Sequence, residues 1–252
     1  MTKTICVANQ KGGVGKTTSA VNIAAVMGNL GLNVLLVDID SQANATMSML
    51  NDDVPINATI RDVLKGAHIE DTIMESVSPG VHILPSELAL ATVESELANK
   101  IGREKILRKS LKRIEGNYDY IIIDCPPSLN LLSINALSAA QYLIIPIHEF
   151  LAMEGLNQLL DIYNQIKEEL NEDLDISSIF MTMYDPRTKL AKDLYGTLKE
   201  LFADKVATTT IPRNVKLAEA PAYHQSIIAY APESKGAKAY CQLTEELLLL
   251  WK

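Results

Sequence analysis

Between Asn9 and Thr18 the chain reads Asn-Gln-Lys-Gly-Gly-Val-Gly-Lys-Thr-Thr, a glycine-rich loop set between an apolar run and a helical pattern. Glycines let successive backbone N–H groups curl toward phosphate oxygens, and a following helix adds the positive end of its dipole. On this reading Gly12, Gly13, Val14 and Gly15 form the cradle, with Thr18 closing it. Lys16 reaches the β- and γ-phosphates, and the Thr17 hydroxyl is a ligand for Mg²⁺. Gln10 replaces the first glycine of the usual phosphate-loop pattern, and an extra lysine, Lys11, precedes the others. Two lysines on one tight loop are hard to place on one phosphate group. Lys11 therefore reads as serving a nucleotide held mainly by another subunit.

Two further segments carry carboxylates. Val37-Asp38-Ile39-Asp40 ends an apolar run with aspartates at i and i+2, on one face of a strand. The carboxyl end of a strand is where an open α/β sheet holds its ligand; a solvated acidic turn is the alternative. Tyr120-Ile121-Ile122-Ile123-Asp124 is a buried-strand pattern whose final aspartate can reach Mg²⁺ through water. Pro126 and Pro127 then stiffen the turn. Capping of the next helix is the alternative role for Asp124.

These groups need a rigid frame, and the chain supplies one. Candidate strands cover Thr4–Ala8, Asn33–Asp38, Val81–Leu84, Tyr120–Asp124, Tyr142–Pro146, Ile176–Met183 and Ala207–Ile211. Most lack polar alternation, as strands covered on both faces do. Helical patterns cover Lys16–Leu30, Ile60–Leu64, Glu87–Ile114, Leu131–Ala140, Ala152–Leu170, Thr188–Phe202 and Ala237–Leu250, while Met47–Ser78 is the least patterned stretch. The expected fold is α/β, a mostly parallel twisted sheet with helices on both faces, as one domain over residues 1–252. Hydrophobic residues at 48% and charged residues at 21% exclude a disordered or collagen-like chain. Nothing approaches the ~18 apolar residues of a membrane span, and the N-terminus reads as lacking an export leader. Cys6, Cys125 and Cys241 have neither disulfide-framework nor zinc-site spacing.

The run Lys11-Gly-Gly-Val-Gly-Lys-Thr17 is a deviant Walker A signature, and the chain resembles the ParA/Soj family of DNA-partitioning ATPases, relatives of MinD, from Thr4 to about Leu247. Met153-Glu154-Gly155-Leu156 and Glu219-Ala220-Pro221 belong to the same likeness. The resemblance implies a P-loop NTPase fold with ATP and Mg²⁺ as cofactors. It implies that Asp40 orients or deprotonates the attacking water and that Asp38 helps hold the Mg²⁺ hydration shell, beside Thr17 and Asp124. The family usually reads Asp-x-Asp-Pro-Gln-Gly-Asn here, so Ser41 and Ala43 depart from it and bear on the loop's shape. In Ile211-Pro212-Arg213-Asn214, residues matching Pro212 and Asn214 hold the adenine. His148 and Glu149 occupy a segment one residue shorter than in the family, and His148 is given no catalytic role.

The function implied is an ATPase that closes an ATP-sandwich homodimer, binds double-stranded DNA without sequence preference and drives plasmid or chromosome partitioning. A ParB-type centromere-binding partner would stimulate hydrolysis, in a cytoplasmic, nucleoid-associated setting with no membrane partner. No DNA-reading helix-turn-helix is expected ahead of the first strand. The net charge of −8 argues against DNA in the sum, so contact needs a local patch: Arg213 and Lys216 first, the basic Arg103–Arg113 helix second. An ordinary solvated face is the alternative for both. A MinD-like membrane-surface ATPase shares every nucleotide motif, but Glu245 and Glu246 suit a packed C-terminal helix better than a lipid-binding one. A metabolic or metal-cluster-carrier ATPase of the same fold would need extra chemistry, and the missing C-x-x-C pair disfavours the cluster carrier.

Overall fold

The computed structural model describes residues 2–148 and 152–251; Glu149 lies outside the described residues, as do Met1 and Lys252. Seven strands, β1 (Lys3–Val7), β2 (Val34–Asp38), β3 (Met74–Glu75), β4 (Val81–Leu84), β5 (Tyr120–Asp124), β6 (Tyr142–Ile147) and β7 (Asp175–Met181), form one sheet. Their order is β3-β4-β2-β5-β1-β6-β7, with only the β3–β4 pair antiparallel. The helices are α1 (Lys16–Asn29), α2 (Asn44–Met49), α3 (Ile60–Lys65), α4 (Val93–Glu96), α5 (Ile106–Leu111), α6 (Leu131–Ala139), α7 (Ala152–Glu169), α8 (Lys189–Phe202), α9 (Val215–Glu219), α10 (Ile227–Tyr230) and α11 (Lys235–Leu250).

Alternate strand residues feed two cores, as the unbroken apolar runs require. Cys6, Leu35, Val37, Ile121 and Ile123 pack under α3 to α8, whereas Ile5, Val7, Leu36, Ile122 and Ile144 pack under α1, α2, α10 and α11. Trp251, just past α11, is buried on the sheet, stacked on Tyr142 at 5.9 Å, with its indole N–H donating to Ser177 Oγ at 3.1 Å. The C-terminal segment therefore packs as the sequence predicts. No helix among the described residues is long and apolar enough to cross a membrane.

Two expectations need correction. Ala207–Ile211 is not a strand. Ala207 N–H donates to Ile179 O and Ile211 N–H to Met181 O, but the N–H groups of Thr208 and Thr209 turn to the Glu246 carboxylate at 2.7 and 2.9 Å. A side chain from α11 thus takes donors that a ladder would have used. The long helix expected over Glu87–Ile114 is a series of short turns, interrupted at Gly102, whose φ of 71° is left-handed. There the Asn135 side chain of α6 stands in for helical partners, accepting from Leu107 N–H and donating to Arg103 O. The stripe Leu107, Leu111, Ile114 is nevertheless buried as expected.

The glycine with least room around it is Gly28, where α1 meets the turn entering β4. A Cβ on Gly28 would stand 2.2 Å from the Pro79 carbonyl oxygen and 2.9 Å from Val81 Cγ2. The first obstacle is backbone and the second is a buried side chain at the start of β4, so neither yields cheaply. Gly28→Ala is expected to cost about 3 kcal/mol, the upper end for overpacked cores. A urea denaturation midpoint unchanged from the parent protein would contradict this.

Candidate functional site

Three neighbouring strands end together. Asp38, the last residue of β2, lies in register with Asp124, the last of β5, which in turn faces Val7, the last of β1. The loop after β1 crosses this edge and enters α1. Gly13 and Gly15 take φ of 71° and 87°, which glycine alone adopts at little cost. No side chain caps α1, so its leading N–H groups are left for a ligand. Asn9 anchors the loop, donating to Pro146 O at 2.8 Å and accepting from Lys11 N–H at 3.1 Å. Thr182, just past β7, donates to Val14 O at 2.8 Å.

Lys16 is buried and donates to Lys11 O at 3.0 Å, so the loop's own carbonyl occupies the ammonium. Burial lowers its pKa, and the neighbouring carboxylates, Asp124 foremost, partly oppose that. Asp38 is fully buried and well served: Thr46 N–H and Oγ1 donate to Oδ2 at 2.8 and 2.7 Å, and Asp40 N–H donates to Oδ1 at 3.1 Å. Its pKa still rises to about 6 because of burial. Asp124 is the opposite case, with both oxygens buried and without a hydrogen-bond partner of ordinary geometry, although the Thr17 hydroxyl offsets part of its burial. Burial first and the charge of Asp38 second push its pKa well up.

An orphaned buried carboxylate beside a lysine and a threonine hydroxyl fits a hydrated divalent cation, because the cation's water supplies the missing donors. Among the described residues no cluster of His, Cys, Asp or Glu could hold a metal unaided. A cation here would therefore depend on Thr17, on water and on oxygens of a bound phosphate.

Above these groups opens a cavity of about 590 Å³. Gly12, Gly13, Gly15, Lys16, Thr17 and Thr18 form one part of its wall, Asp40 and Gln42 another. Pro212, Arg213 and Asn214 line it as well, so the two segments singled out in sequence, some 200 residues apart, meet here. Asn214 Oδ1 caps α9 through Lys216 N–H at 2.9 Å. Val14 lies beneath the wall, buried. Lys11 does not line the cavity; its stem lies along Gly155 of α7, where an added Cβ would meet Lys11 Cγ at 2.9 Å.

Arg213 is exposed, while Lys216 is engaged by Glu219 at 2.8 Å and stands 5.5 Å from the Tyr230 ring centroid. On the second basic segment Arg108 donates to Leu170 O, and Arg113 pairs with Glu70. Sequence reasoning missed Thr46 and Ser86, whose N–H donates to Thr46 Oγ1 and whose hydroxyl donates to Asp40 O. A hydroxyl eight residues after Asp38 offered no signal without the turn that brings it back.

The buried carboxylate pair sets a pH dependence. Both groups have raised folded-state pKa values, so the unfolded chain releases protons that the folded protein retains. Stability is then fully present below the ordinary aspartate value of about 4 and falls as pH rises through about 6 and beyond. Asp124→Asn is expected to flatten that fall, raising the Tm of the nucleotide-free protein at about pH 8 and leaving it nearly unchanged at about pH 4. Parallel Tm profiles for variant and parent would show that Asp124 carries no such burden.

A family model for the AAA domain (AAA_31) matches residues 2–176. The sporulation initiation inhibitor protein Soj of Bacillus subtilis (strain 168) is 44% identical over 249 residues, covering 98% of both chains. The chromosome-partitioning ATPase Soj of Treponema pallidum is 41% identical over 250 residues, again covering 98% of both. Among solved structures, a cobyrinic acid a,c-diamide synthase of Mycobacterium smegmatis with bound ATP analogue and magnesium superposes with a TM-score of 0.87 at 33% identity, over 100% of this chain and 96% of that one. With a phosphate loop, two strand-end aspartates and a doubly covered parallel sheet in common register, this chain belongs to the ParA/Soj family of P-loop ATPases.

Proposed function

We infer that this protein is a Mg²⁺-dependent ATPase of DNA partitioning, acting on a plasmid or chromosome as an ATP-bound homodimer. The observation that carries the reading is the joining of phosphate loop, Asp40 and the Pro212–Asn214 segment at one cavity, with the orphaned carboxylate of Asp124 buried at the end of the neighbouring strand β5. On binding ATP, Lys16 exchanges the Lys11 carbonyl for phosphate oxygens, and the N–H groups of Gly13 to Thr17 take the rest. Pro212 and Asn214 hold the base. Thr17 and Asp124, with Asp38 behind them, hold Mg²⁺ and its water, and the ion supplies charge neutralisation at the phosphates. Asp40, its carboxylate already receiving Gln42 N–H at 3.0 Å, orients a water and accepts its proton. Lys11 leaves its place along Gly155 to reach the nucleotide of the other subunit.

The dimer then binds duplex DNA without reading bases, and a ParB-type partner stimulates the hydrolysis that dissolves it. On this reading the protein works in the cytoplasm, associated with the nucleoid. Arg213, exposed at the cavity rim, is the first candidate for phosphate contact; Lys216 must first give up Glu219. The packing of α11, with Leu243, Leu247 and Trp251 buried, favours DNA over a membrane surface as the partner.

Asp40→Ala is expected to bind ATP and remain dimeric while hydrolysis slows about 10²–10⁴-fold, the scale of a lost general base. Light scattering that finds it monomeric at saturating ATP and Mg²⁺ would remove Asp40 from that role.

The reading as a whole is tested by mobility shift with unrelated duplexes, with and without ATP, at two salt concentrations. Binding is expected only with ATP and with no sequence preference. Each lost phosphate contact lowers the salt slope by about 0.9, so Arg213→Glu lowers it by about 1.8 per dimer. An ATP-bound dimer with no affinity for DNA at low salt would replace this function with the membrane-surface one.

A further inference from the structure

Behind the nucleotide cavity lies a second one, of about 530 Å³, which shares Thr17, Thr18, Asn44 and Leu217 with it. His224 forms part of its wall, and its backbone is left-handed, with φ of 52°. A histidine seldom adopts that region, and its persistence means that surrounding contacts hold it there. Those contacts are specific. His224 N–H donates to Pro221 O at 3.1 Å, and the ring Nδ1 lies 2.7 Å from the Met47 carbonyl oxygen. A carbonyl only accepts, so Nδ1 carries the hydrogen. Met47 lies in the last turn of the six-residue helix α2, where carbonyls lack helical partners. Nε2 faces Asp52 Oδ2 at 3.4 Å.

The two ends of this link matter. Met47 follows Thr46, whose N–H and hydroxyl hold the Asp38 carboxylate, and Thr46 also receives Ser86, which fixes the Asp40 carbonyl. At the other end, His224 closes the segment that begins with Pro212 and Asn214. Asn22 of α1 holds the start of α10, three residues beyond His224, accepting from Ile227 N–H at 2.7 Å while donating to Thr18 O at 2.7 Å. The segment is thus pinned to the phosphate-loop helix on one side and reaches the aspartate loop on the other through one ring.

We propose that His224 is a positioning residue that transmits occupancy of the base side of the pocket to the Asp38–Asp40 loop. The inference rests on the ATPase reading above and adds a specificity device to it: the base, though remote from the reacting phosphate, sets the rate of hydrolysis as well as affinity. Binding energy from a non-reacting part of a substrate is then used to align the reacting centre.

The test compares steady-state hydrolysis of ATP with that of ribose 5-triphosphate, which lacks the base, at saturating Mg²⁺. The parent protein is expected to turn over ATP with the higher kcat. His224→Gly keeps the left-handed backbone and removes the ring. It should lower kcat for ATP by about threefold to tenfold, the range that one neutral hydrogen bond supports, and bring the two kcat values together. The KM preference for ATP should remain, because Pro212 and Asn214 are untouched. His224→Asn tolerates the same backbone and places an amide N–H as many bonds from Cα as Nδ1, so it should restore the kcat preference. A His224→Gly protein that keeps the preference, a His224→Asn protein that does not restore it, or a parent protein with equal kcat values would each overturn the proposal. A parent protein that hydrolyses neither triphosphate would overturn the ATPase reading itself, and the proposal with it.

Discussion

Two carboxylates side by side at the ends of adjacent strands, both removed from water, are the constraint to which the rest of the site answers. Asp38 and Asp124 are paired in the register of two adjacent parallel strands whose alternate residues fill the two cores on either face of the sheet. Like charges at such separation disfavour double ionisation. The fold resolves the conflict unequally. Asp38 receives three donors from its own loop and becomes the anchor of α2; Asp124 receives none of ordinary geometry and keeps its demand for positive charge. That inequality separates a carboxylate that holds the chain from one available to a cation.

Much of this was legible in the sequence. Six of the strands and the helix after the phosphate loop stand within two residues of where their patterns place them, because unbroken Ile and Val runs and a Gly-Lys-Thr helix start admit few other structures. Gly12, Gly13, Lys16, Thr17, Thr18, Asp40, Pro212 and Asn214 meet at one cavity, as their motifs imply. What was illegible depends on single side chains reaching across the fold. Glu246 unmakes a strand at 208–209, and Asn135 supports a broken helix near Gly102. Thr46 and His224 act through turns that no local pattern announces.

Charge was the least informative signal at the level of totals. The −8 of the whole chain hides basic groups in different states. Lys16 is buried against a carbonyl, Lys216 is neutralised by Glu219, and Arg113 by Glu70, whereas Arg213 stands exposed. Counting lysines and arginines treats these as equal. Their surroundings make them unequal, and a partner that seeks a free cation would discriminate between them.

The grip of Glu246 on residues 208–209 also bears on how copies of this chain meet. An open sheet edge offers a row of unpaired groups to any strand that arrives, and proteins blunt such edges to avoid runaway polymerisation. Beyond β7, the edge is covered by a segment that donates to Ile179 and Met181 yet turns its intervening N–H groups inward to a carboxylate. An incoming strand finds no continuous ladder there. At the far edge β3 is only two residues long, too short a template for a stable pairing. Growth by sheet extension is closed at both ends, so a second copy that met this chain would have to do so through side-chain surfaces and not through a shared ladder.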